Sequence, residues 1–151
     1  MFPDKHVLVR VGAAALQADV QAGRHTYIID EPTEVGGQDL GPTPYDLLLS
    51  ALGACTAITL RLYANQKKWP LEAIEVRLAH QRVHEHDCEQ CEQPGQMLEE
   101  VTKELRLIGP LTDEQRQRLE VISQKCPVQK TLMSGLRITT RLVPESEFLP
   151  S

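Results

Sequence analysis

The stretch Gly41-Pro42-Thr43-Pro44-Tyr45-Asp46-Leu47-Leu48-Leu49-Ser50-Ala51-Leu52-Gly53-Ala54-Cys55-Thr56 decides how the rest of the chain is read. Thr43 is a good N-cap, Pro44 suits the first helical position, and Asp46 stands where an acid completes a capping box. Beyond it, Leu48, Leu52, Cys55, Thr59 and Leu62 recur at helical spacing, with Leu47, Ala51 and Ile58 widening the stripe. The periodicity predicts a helix to about Gln66 with Cys55 facing the core. Lys67 and Lys68 suit the negative end of its dipole, and Pro70 blocks continuation.

On the N-terminal side, Val7, Val9 and Val11 alternate as in a strand. Leu16 to Val20 and Thr26 to Asp30 read as two more strands joined by a turn at Gln21-Ala22-Gly23-Arg24, with Gly23 taking the awkward backbone angles. The Gly-, Pro- and acid-rich run from Glu31 to Pro42 is a loop. On the C-terminal side, Ile74, Val76 and Leu78 alternate with Glu75 and Arg77, a strand with one wet face that can extend through His80 and His84. A further strand runs from about Met97 to Ile108. Thr112-Asp113-Glu114-Gln115 repeats the capping box and opens a second helix that carries Leu119 and Ile122 on one face. Cys126-Pro127 marks a break after it, because a residue before proline is pushed out of helical geometry. A last strand is expected from Leu136 to Val143. Strands outnumber helices and lack regular βα alternation, so the class is α+β.

The chain has 151 residues, enough for one domain over residues 1–151 with a real core. A formal charge of -5 argues against a phosphate-binding surface, so nucleic acid is not expected as a partner. The first ten residues lack the apolar core of a signal peptide, and no apolar run is read as crossing a membrane. A cytoplasmic location follows, where the four cysteines call for chemical explanations rather than a disulfide framework.

The segment from Gly41 to Thr56 resembles the signature of the OsmC/Ohr family, and Lys125-Cys126-Pro127-Val128 resembles that family's second cysteine segment. The resemblance covers nearly the whole chain. It implies antiparallel sheets around a long central helix plus a second helix, in an intertwined homodimer with sites at the subunit interface. It also implies an enzyme: a thiol-dependent peroxidase in which Cys55 attacks an organic hydroperoxide, Cys126 resolves the sulfenic acid as a disulfide, and an external dithiol restores the thiols. No cofactor is required for that catalysis. The chemistry is sound in itself, because the thiolate is the nucleophile and a nearby thiol traps the sulfenic acid before further oxidation. An apolar wall of Leu48, Leu52, Ile58 and Leu62 favours bulky organic peroxides. The other reading, from a different class, is a non-catalytic module that binds a small ligand or senses oxidants through Cys55.

Cys55 lies eleven residues beyond Pro44, far past the first turn where a helix dipole acts, so another group must stabilise the thiolate. The family uses an arginine from the N-terminal region, and Arg24 is the candidate by location. The family's peroxidase branches place a glutamate directly after the helix-opening proline. This chain has Tyr45 there and Asp46 next, rotated by about 100° on the helix. Tyr45 can offer its hydroxyl to the site or the peroxide, or pack through its ring at an interface, and the plainest role of Asp46 is to cap the helix.

A third constellation is His84-Glu85-His86-Asp87-Cys88-Glu89-Gln90-Cys91-Glu92. His84, Cys88 and Cys91 have spacing that suits structural zinc, completed by His86, His80, water or a residue elsewhere. The same Cys-x-x-Cys permits a redox reading, but the acidic neighbours raise thiol pKa values and favour a bound cation. Replacing Cys88 and Cys91 together by serine is expected to lower the thermal midpoint while leaving peroxide turnover per folded molecule intact. Elemental analysis of protein purified without chelator checks the metal, and a zinc content near zero removes it.

Overall fold

The computed structural model describes residues 6–84 and 97–145. Strands β1 (Val7–Val11), β2 (Ala18–Ala22) and β3 (His25–Ile29) form an antiparallel meander in that order. The β2–β3 turn is tight: Ala22 pairs with His25, and Gly23 between them takes φ 61°, as a two-residue hairpin requires. Strands β4 (Ala73–His84) and β5 (Met97–Ile108) form a second, two-stranded antiparallel sheet. Period two holds along β4, where Ile74, Val76, Leu78 and His80 are half-buried and Glu75, Arg77 and Ala79 are exposed.

The long helix α1 (Pro44–Lys67) begins as its sequence dictates. The Asp46 amide donates to the Thr43 hydroxyl at 3.2 Å and the Thr43 amide to the Asp46 carboxylate at 3.0 Å, with Pro44 opening the first turn. By length and composition alone α1 is apolar enough to cross a bilayer. Here it packs on β4 and on the two helices that follow. Gly53 lets α1 approach β4, since an added Cβ would lie 2.7 Å from the Leu78 side chain. The core lies at the C-terminal half of α1, where Leu60, Ala64, Leu71, Leu119 and Ile122 are buried together.

Two expectations are corrected. The buried face of α1 is Leu52, Gly53, Thr56, Leu60 and Ala64, so Cys55 is only half-buried, while Ile58 and Leu62 are about 60% exposed. The spacing fits two adjacent stripes, and polar Thr56 hid the one that this chain buries. Second, residues 136–143 form no strand: a strand needs a neighbour to take its amides and carbonyls, and none pairs here among the described residues. In addition to α2 (Asp113–Ser123), a third helix, α3 (Pro127–Ser134), follows the Cys126-Pro127 break. The segment from 85 to 96 is outside the described residues, so Cys88, Cys91 and His86 are too, while His84 ends β4.

The loop before α1 is an ordered structure. Buried Asp30 accepts from the amides of Glu31 at 2.8 Å and of Gln38 and Leu40 at 3.2 Å, and its own amide donates to the Pro42 carbonyl. The Glu31 amide first, with those of Leu40 and Gln38, holds the carboxyl below its ordinary value against the opposing effect of burial. A carboxyl lowered in the folded state stabilises above its unfolded value of ~3.9, and that contribution is lost as pH falls through the folded value. Asp30→Asn is therefore expected to unfold at lower urea than wild type at neutral pH, with the difference shrinking on acidification. Parallel pH profiles of the urea midpoint in the two proteins would contradict this.

Candidate active site

The break at Cys126-Pro127 does more than end α2. Cys126 takes extended angles, φ −60° and ψ 134°, and becomes the N-cap of α3, with Pro127 in the first turn. Its sulfur accepts the Gln129 amide at 3.3 Å, the role a serine oxygen plays at an ordinary cap. Because α3 packs on α1, this cap is carried to the middle of the long helix. There Cys126 and Cys55 lie close enough for each to act on the other's ionisation. Cys126 is fully buried and Cys55 half-buried, so Cys55 is the sulfur that a solute meets.

The two thiols sit in different fields. Burial pushes the Cys55 thiol above its ordinary value; the Val128 amide opposes this, the Cys126 thiol competing for charge adds to it, and Thr59 opposes it weakly. Burial also raises Cys126, but the Gln129 amide, the Cys55 thiol, the Thr56 side chain and the Lys103 ammonium outweigh it and leave Cys126 below the ordinary value. Of the two sulfurs, Cys126 at its helix start is the one that accepts a backbone amide within its own helix cap.

Lys103 was not among the residues picked out from the sequence. It pairs with Leu78 across the sheet and shares the parity of Leu105 and Leu107, so it points to the core side of β5. A lysine in phase with the apolar positions of a strand is the signal that was there to be found. Its Nζ donates to Thr56 Oγ1 at 3.1 Å, to the Ser123 carbonyl at 2.9 Å and to Gln129 Oε1 at 2.6 Å.

Next to this cluster lies a cavity of about 400 Å³ lined by Leu48, Leu52, Val101, Leu132 and Met133, with Tyr45, His80, Glu99, Lys103 and Gln129 as its polar margin. The expected apolar wall is thus half present: Leu48 and Leu52 belong to it, and Ile58 and Leu62 do not. Lys103 and Gln129 link the cavity to the sulfurs. Tyr45 stacks on His80 with ring centroids 4.6 Å apart; His80 in turn meets Glu99, which also accepts from Arg82 at 2.9 Å. Asp46 stays in the cap of α1. Arg24 is exposed in the β2–β3 turn and is not among the groups acting on either sulfur. Among the described residues, no cluster of His, Cys, Asp and Glu could hold a metal ion.

The OsmC-like protein family model matches residues 36–141, which include Cys55 and Cys126, α1 and the whole β4–β5 sheet. The chain belongs to the OsmC-like family. Among solved structures, this OsmC-like chain is similar to an OsmC-like protein from Mycoplasma pneumoniae, with 18% identity, a TM-score of 0.68, and coverage of 88% of this chain and 89% of that one. It is also similar to an organic hydroperoxide resistance protein from Legionella pneumophila, at 17% identity and TM-score 0.59 over 85% of this chain and 90% of that one. A third likeness is to an organic hydroperoxide resistance protein from Elizabethkingia anophelis, at 19% identity and TM-score 0.60 over 86% and 88%. A search of curated proteins finds no match. These likenesses bear out the α+β OsmC-like fold read from the sequence, now with a third helix.

The adjacency of the sulfurs has a direct consequence. Diamide in stoichiometric amount is expected to link Cys55 to Cys126 within one chain and to remove both from alkylation, as read by peptide mapping. Free Cys55 and Cys126 after that treatment would contradict the geometry.

Proposed function

We propose that this OsmC-like protein is a thiol-dependent peroxidase that reduces organic hydroperoxides, with Cys55 peroxidatic and Cys126 resolving. The observation that carries the reading is the contact between a half-buried cysteine and a buried one whose environment favours the thiolate. The Cys55 sulfur attacks the outer oxygen of the peroxide, the O–O bond breaks, and the alkoxide takes a proton and leaves as the alcohol. Cys55 is then a sulfenic acid. The Cys126 thiolate attacks that sulfur and expels hydroxide, which is protonated to water, and the resulting disulfide is returned to two thiols by exchange with an external dithiol. No step needs a cofactor. The apolar cavity beside the pair suits an organic peroxide better than hydrogen peroxide. Such a cycle fits the cytoplasm, where dithiol reductants keep cysteines reduced.

The working form in this reading is a homodimer. Ile58 and Leu62 on α1, Val7, Val9 and Val11 on β1, and Leu136, Ile138 and Leu142 beyond α3 are all more than half exposed in the single chain. Apolar surface of this extent on three separate segments calls for cover. A second copy would also give residues 136–143 a strand to pair with and give Arg24 a way to reach a thiol pair.

A second reading, a ligand-binding or thiol-sensing module without turnover, draws on one observation: no arginine acts on either sulfur among the described residues. Lys103 supplies a cation in its place, which favours the enzyme. Reduced protein given cumene hydroperoxide and a dithiol is expected to consume the peroxide, and Cys55→Ser to lose on the order of 100-fold or more in rate. Equal turnover in the two proteins would overturn the reading.

A further inference from the structure

The cavity beside the thiols has a direction, and the strand register gives it. On β5, Glu99, Val101 and Lys103 share one parity and line the cavity together. Glu99 and Lys103 are therefore its two ends along the strand, ~13 Å apart at ~3.3 Å per residue. On α1 the matching residues are Tyr45, which reaches Glu99 through His80, and Thr56, which accepts from Lys103 at 3.1 Å. These stand ~16 Å apart at ~1.5 Å per residue, so helix and strand run alongside each other and agree on the length. Cys55 precedes Thr56 and belongs to the Lys103 end. Tyr45 and His80 belong to the far end, the length of the slot away from the sulfurs.

The far end is a built wall. Ile74, Val76, Leu78 and His80 make one half-buried face of β4, in which His80 is the polar member. Its ring is held in place: Nε2 meets the Glu99 carboxylate, which also accepts from Arg82 at 2.9 Å. On the ring so fixed lies Tyr45, with centroids 4.6 Å apart and planes 18° from parallel. Tyr45 lines the cavity and is also 50% exposed, so its ring stands between the cavity and solvent.

The flank differs from the end. Met133 on the α3 side is 80% exposed, so the slot is open there and an organic group can enter sideways. What limits a ligand is therefore its length, measured from the sulfurs to the stack. A methylene that lies among Leu48, Leu52, Val101 and Leu132 leaves water, and one that falls beyond the stack does not.

We propose that the Tyr45–His80 stack is the end stop of this slot and determines the specificity of the site, selecting hydroperoxides of compact or medium-length organic groups over long-chain ones. This rests on the peroxidase reading and names the substrate class for it. Tyr45 meets the end of the organic group through its ring, not its hydroxyl. His80 is a positioning residue that, with Glu99, fixes that ring. Neither takes part in the proton or electron transfers at the sulfurs.

Unreactive primary alcohols test the stop without any peroxide. Hexanol, octanol, decanol and dodecanol are titrated into reduced full-length protein labelled with ¹³C at the methionine methyl groups, with the Met133 resonance as the readout. In wild type, affinity is expected to rise by roughly fourfold per methylene among the shorter chains and to level once the chain spans the slot. Tyr45→Ala should remove that break, raising dodecanol affinity by on the order of tenfold while hexanol affinity changes little. Tyr45→Phe should keep the break because the ring is retained, and His80→Ala should weaken it because the ring loses its anchor. A purely structural role for either residue would change affinity for all four alcohols alike. An affinity that climbs unbroken from hexanol to dodecanol in wild type overturns the proposal and needs no variant. A break that Tyr45→Ala leaves in place overturns it equally, as does a Met133 resonance that none of the alcohols moves. Turnover separates the two claims: a protein with the break that consumes no cumene hydroperoxide refutes the peroxidase reading and leaves the end stop standing, whereas one that consumes it without the break does the reverse.

Discussion

One ammonium holds this chain's site together. Lys103 leaves the inner face of β5 and is bound by a residue from each helix: Thr56 of α1, Ser123 at the end of α2, and Gln129 of α3. The three contacts bring the middle of the long helix, the C-terminal end of the second and the N-terminal turn of the third to one point. Cys55 and Cys126 stand around that point. Without the lysine, the cap at Cys126 would lose the anchor that sets its distance from α1, and a carbonyl at the exit of α2 would lose its donor. Charged hydrogen bonds of this kind are among the stronger polar interactions in proteins.

The two members of the cysteine pair are unlike. Cys55 lies in mid-helix, where the backbone amides are already engaged and the dipole offers nothing. Cys126 lies at a helix start, where amides are free to point at sulfur. One helix therefore presents the more exposed sulfur and another the sulfur that accepts a backbone amide. The apolar cavity beside them, bordered by the Tyr45–His80 stack and by Glu99, adds a place for an organic group next to the same residues.

Legibility from sequence follows how local each signal is. The starts of α1 and α2 were readable because a capping box is written within four residues, and both boxes form. The β4 and β5 strands were readable from period two. Burial on α1 was not, since Leu48, Cys55 and Ile58 belong to one stripe and Leu52, Thr56 and Leu60 to another, and only tertiary contacts choose between them. The α3 helix is not legible from Cys126-Pro127 alone, since proline there ends one helix and, at the first helical position, equally begins another. Alternation alone suggested a strand from Leu136, but a strand exists only with a neighbour. Lys103 went unnoticed for a different reason: its type reads as surface, and only its parity with Leu105 and Leu107 says otherwise.

The central claim is that peroxide oxidises Cys55 first and that Cys126 then captures it. Its most direct test is to treat reduced Cys126→Ser protein with cumene hydroperoxide in the presence of dimedone, which traps sulfenic acids, and to map the adduct by mass spectrometry. The account predicts a single adduct on Cys55, and none in wild type, where the neighbouring thiol reacts faster. Unmodified Cys55 in Cys126→Ser, together with an adduct on Cys126 in the Cys55→Ser protein, would contradict it.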